Sequence, residues 1–80
     1  MALRILVVDD EKLSRETTAF QLREIGHEAE AHESPRSALQ ALATDPWDVV
    51  LTDLRMPAMN GIEFLRKIKA GRPETAVILM

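Results

Sequence analysis

The sequence predicts an α/β chain: a parallel sheet covered by helices on both faces. Three observations carry that expectation. Three short runs rich in Val, Ile and Leu recur along the 80 residues without the polar alternation of a sheet wetted on one side, and a fourth, weakly alternating segment reads as an edge strand. Stretches of helical composition, closed by cap and stop residues, separate them. Strands joined through helices run parallel with right-handed crossovers, so the order βαβαβαβ implies a doubly wound arrangement.

The first apolar run, Ile5 to Val8, is β-branched and stops abruptly at Asp9-Asp10. Helical composition follows from about Glu11 to Ile25 and ends at Gly26, the usual residue just past a helix. Leu13, Thr17 and Phe20 share one side of this helix, with Leu22 and Ile25 further round a broad face. His27 to Ala31 alternates weakly, as a short edge strand does. Ser34 is placed to cap a second helix with Pro35 at its first position; Ala38, Leu39, Ala41 and Leu42 form its apolar face, and Asp45-Pro46 ends it. Val49 to Leu51 resumes the buried-strand pattern and gives out at Asp53. Leu54 to Asn60 reads as a loop, since Pro57 disfavours helical geometry at Met56. Ile62, Leu65 and Ile68, flanked by Phe64, mark a third helix closed by Gly71 and Pro73, and Ala76 to Met80 is a fourth strand.

Composition narrows the function. Ten Lys and Arg against thirteen Asp and Glu give a net charge of −3, which argues against a nucleic-acid surface built on bulk positive charge. The chain has no cysteine, so disulfides, thiolate zinc sites and cysteine nucleophiles are excluded. Its longest uninterrupted apolar run, Ala76 to Met80, falls far short of the roughly 18 residues that span a bilayer. The N-terminus lacks a secretory pattern. A single small cytoplasmic domain is the expectation.

The acids carry the functional signal. Parallel strands end on one edge of the sheet, and in doubly wound sheets the ligand crevice opens there, where neighbouring connections leave to opposite faces. If the first and third strands are neighbours, Asp9, Asp10 and Asp53 crowd into that crevice. Clustered carboxylates repel one another and favour proton uptake or a bound cation, and hard oxygen donors with room for water suit Mg²⁺. Taken singly, Asp9 or Asp10 reads equally as a helix cap and Asp53 as an ordinary turn residue. Three together at matching strand ends would put a repulsion into the fold that a purely structural role does not require.

Val7-Val8-Asp9-Asp10-Glu11, followed by Val49-Val50-Leu51-Thr52-Asp53-Leu54-Arg55-Met56-Pro57-Ala58-Met59-Asn60-Gly61, resembles the receiver domain of two-component response regulators. The second segment matches the family's D-x-x-M-P-x-M-x-G pattern at every fixed position, and the similarity runs from about Leu3 to Met80. The wording Leu-Thr-Asp-Leu-Arg-Met-Pro is similar to receivers attached to sigma-54-dependent activators. The resemblance implies a flavodoxin-like sheet of strand order 2-1-3-4. It implies that Asp53 is the phosphoacceptor for a sensor histidine kinase. Mg²⁺ would be bound by Asp10 and Asp53, supported by Asp9 directly or through water, and by the backbone carbonyl of Arg55. A carboxylate that attacks a phosphoryl group needs a cation to offset charge repulsion, so these roles cohere. An output domain in the parent protein is also implied.

The resemblance covers about two-thirds of a receiver, residues 1–80 being its N-terminal part. The family's phosphate-contacting Ser or Thr follows the fourth strand, and its Lys ends a fifth. Thr52 cannot stand in, and Lys67 and Lys69 read as solvated helix charges. Phosphotransfer to Asp53 is therefore expected to be slow or undetectable, and the apolar fourth strand is expected to pair with another chain. The alternative function is a receiver-derived scaffold that self-associates and has lost phosphotransfer. A haloacid-dehalogenase-type phosphatase would need a second carboxylate two positions after Asp53, where Arg55 stands. No glycine-rich phosphate loop is present. His27 and His32 read as exposed surface residues, and Trp47 as a cover for the sheet's lower edge.

Overall fold

The computed structural model describes residues 2–53 and 60–80. The elements are β1 (Arg4–Val8), α1 (Lys12–Glu24), β2 (Glu28–His32), α2 (Pro35–Thr44), β3 (Val49–Thr52), α3 (Gly61–Gly71) and β4 (Ala76–Leu79). The four strands form one parallel sheet in the order β2-β1-β3-β4, the flavodoxin-like order expected. The alternating sides of β1 explain why its run is uniformly apolar. Leu6 and Val8 face α2 and α3 with Ala38, Leu42, Trp47, Val50, Phe64 and Ile68, whereas Ile5 and Val7 face α1 with Ala19 and Ala29.

The helix starts follow local chemistry. Ser34 Oγ accepts from Ser37 N, with Pro35 in the first turn of α2. Asn60 Oδ1 accepts from Glu63 N at 2.8 Å and caps α3. Gly26, at φ 96°, turns the chain from α1 into β2 in a conformation that favours glycine.

Several faces differ from the sequence expectation. In α1, Ala19 is buried and Leu22 half-buried, while Leu13 and Phe20 are exposed. The helix lies against β1 and β2, and at 3.6 residues per turn Leu13 and Phe20 sit about 100–120° round from Ala19. In α3 the buried line is Gly61, Phe64 and Ile68, with Ile62 exposed. The histidines are not free surface residues. His27 Nδ1 accepts from Leu3 N, and the His32 ring is held between Glu30 and Ser37. Trp47 does close the lower edge, buried against Leu42 and Ile68 with the Arg4 guanidinium 4.3 Å from its ring centre.

Candidate metal centre

The register of the sheet builds the acid cluster. Val8 pairs with Thr52, so Asp9 and Asp53 follow at the same level on neighbouring strands, and Asp53 N donates to Val8 O at 3.2 Å. The connection after β1 leaves over one face through α1, and that after β3 leads to α3 on the other. Their divergence opens the crevice between the two strand ends. One carboxylate oxygen from each of Asp9, Asp10 and Asp53 lies within 4.8 Å of the others. All three predicted carboxylates are therefore brought together. The fourth predicted ligand, the Arg55 carbonyl, lies outside the described residues.

Burial grades across the cluster: Asp9 is buried at 6% exposure, Asp53 is half-buried and Asp10 is exposed. Asp9 also performs the plainer duty, because its Oδ1 accepts from Glu11 N at 3.0 Å and closes the turn into α1. The structural and the acidic roles thus coexist in one residue. Among the described residues neither Asp9 nor Asp10 has an ion pair with Lys or Arg. Arg15 Nη1 donates to the Asp9 carbonyl at 3.4 Å.

The donor set fits a small hard cation. Octahedral Mg²⁺ at about 2.0–2.1 Å from each ligand holds its oxygens about 2.9–4.2 Å apart, so the three carboxylates need only a rotamer-scale adjustment to converge. The exposure of Asp10 leaves room for water in the remaining positions, as Mg²⁺ requires.

Two supporting residues escaped the sequence reading. Arg15, one turn into α1, reaches back to the Asp9 carbonyl. Asn60 fixes the start of α3 where the connection from Asp53 arrives, and the spacing Asn60-Gly61-Ile62-Glu63 is the capping-box signal that could have found it.

Comparison with known proteins agrees with this geometry. The family model described as the response regulator receiver domain matches residues 5–80. Regulatory protein AtoC of Escherichia coli (strain K12) is 44% identical over 79 residues, covering 96% of this chain and 17% of AtoC. A response regulator receiver domain protein from Clostridium thermocellum superposes with a TM-score of 0.90 at 36% identity, covering 99% of this chain and 64% of that one. Response regulator TrrA from Thermotoga maritima, in complex with Mg(2+)-BeF, superposes with a TM-score of 0.89 at 35% identity, covering 99% of this chain and 68% of that one. The chain thus spans about a sixth of the length of AtoC.

Proposed function

Because the chain belongs to the response regulator receiver domain family, whose members are the phosphoacceptors of two-component systems, we propose that Asp53 accepts a phosphoryl group from a sensor histidine kinase. The observation that carries this reading is the convergence of three carboxylate oxygens within 4.8 Å at the ends of β1 and β3. In the step, an Asp53 carboxylate oxygen bonds to phosphorus as the phosphorus–nitrogen bond of the phosphohistidine breaks, and the leaving imidazole keeps that electron pair and takes a proton. Receivers bind Mg²⁺ at such an acidic cluster, and the ion supplies charge neutralisation for the attacking carboxylate and the transferring group. Asp10 and Asp53 would hold it, Asp9 would support it directly or through water, and the Arg55 carbonyl would complete the protein donors. Receivers take part in this transfer as acceptors and not as classical enzymes.

Residues 1–80 would form the N-terminal two-thirds of a receiver, in keeping with the 64% and 68% of the two solved chains that they cover. The parent protein would carry an output domain, and the Leu51 to Pro57 wording favours one of the sigma-54-activator type. No helix among the described residues is long and apolar enough to cross a membrane, and a cytoplasmic site of action accords with the family.

Calorimetric titration with Mg²⁺ tests the site. The parent chain is expected to bind, and Asp10→Ala and Asp53→Asn are each expected to weaken binding by about tenfold or more, because each removes a charge-assisted ligand. Unchanged affinity in both variants would sink the assignment.

A second reading, self-association as a scaffold, is favoured by β4. Among the described residues β4 has a strand on one side alone, and it leaves Ile78 51% and Leu79 36% exposed, with Met80 just beyond it 53% exposed. Light scattering is expected to show dimers or larger species whose proportion rises with concentration. A stable monomer at high concentration would refute it.

A further inference from the structure

At the end of the molecule remote from the acids, a cleft of about 310 Å³ opens between the C-terminal halves of α2 and α3. Its walls include the buried Leu42 and Ile68 and the half-buried Leu39. Gly71 also lines it, and a Cβ there would meet nothing within 4 Å, so that side is open. Two cations, Lys67 and Arg72, stand at the rim, and none of the lining residues is acidic. Arg72 is half-buried and fixed in place, its Nε donating to Leu42 O across the cleft at 2.8 Å. Lys69 belongs to the same helix but is committed to the carbonyls of Pro73 and Thr75, which leaves Lys67 and Arg72 as the charges that serve the cleft.

We propose that this cleft binds a small organic acid, its aliphatic or aromatic body against Leu39 and Ala43, over the floor that Leu42 and Ile68 form, and its carboxylate on Lys67 and Arg72. Size selects the class: small-ligand pockets run from about 300 to 1,000 Å³, and this one sits at the lower bound, too small for a peptide segment. Charge selects the head group, because an anchored guanidinium already has its position set and loses little freedom on pairing with a carboxylate. The inference is independent of the phosphoacceptor reading, since none of its residues lies at the acid cluster.

The test uses octanoate, with octan-1-ol and octylamine as matched neutral and cationic probes. Backbone amide shifts of the 80-residue chain locate binding, and emission of the single Trp47, packed on Leu42 and Ile68, reports affinity. Octanoate is expected to shift amides of α2 and α3 around the cleft and to bind about tenfold more tightly than octan-1-ol, with octylamine the weakest of the three. Lys67→Gln, at an exposed position, and Arg72→Gln are each expected to remove most of that preference while octan-1-ol binding stays the same. Octanoate and octan-1-ol binding equally, or octanoate shifts falling elsewhere or absent at saturating concentration, would overturn the proposal.

Discussion

Mixed with Mg²⁺ and acetyl phosphate, the 80-residue chain is expected to gain phosphate on Asp53 only slowly or not detectably. On the proposed function the acid cluster would supply the nucleophile and the metal ligands, yet the resemblance places two phosphate-contacting groups, a hydroxyl and a lysine, outside residues 1–80. Removing one preorganised donor to a developing charge typically slows a reaction by about 10²–10³. A rate at least about a hundredfold below that of a receiver holding both groups follows. Intact-mass spectrometry over time measures it. Any phosphate gained should vanish in Asp53→Asn and on chelation of Mg²⁺, and rapid stoichiometric addition to the parent would refute the expectation.

Phe64→Ala is expected to strip the chain of most of its stability at room temperature. Phe64 has no exposed surface and sits amid Leu6, Val8, Val50 and Ile68, where α3 closes over the sheet. Truncating a buried Phe costs about 3–5 kcal/mol. Domains are stable by about 5–15 kcal/mol, and one of 80 residues lies toward the low end because it buries a smaller share of its surface. Urea denaturation followed by Trp47 emission gives the difference. Ile62→Ala, at a position 47% exposed, should stay within about 0.5 kcal/mol of the parent. Equal costs for the two substitutions would mean that α3 turns a different face to the core.

That pair also shows where sequence reading fell short. The spacing of Ile62, Leu65 and Ile68 is helical, but period alone does not say which edge of a broad apolar arc meets the sheet. Phe64, one residue off the regular line, took the interior because α3 packs through Gly61, Phe64 and Ile68. The same ambiguity misled the reading of α1, where small Ala19 allows close approach to β1 and β2 and leaves Leu13 and Phe20 outside. The inner strands β1 and β3 were legible because a strand covered on both sides needs apolar residues on both, and short unbroken runs of Val, Ile and Leu suit that element best. The acid cluster was legible for a topological reason: parallel strands put Asp9, Asp10 and Asp53 on one edge, and the β1–β3 pairing brought them together. His27 and His32 were misjudged because their partners, Leu3 N and Ser37 Oγ, are brought to them by strand pairing and by the turn into α2. Neither contact leaves a mark in the linear order.

The placement of β1 between β2 and β3 has a consequence for biosynthesis. Until Val49–Thr52 has been added, a nascent chain can offer β1 only one neighbour. This inner strand stays half-paired until a segment more than forty positions downstream clears the exit tunnel, and closing so long a loop is slow. Arrested nascent chains ending before that segment should remain protease-sensitive, and those extended through α3 should become resistant.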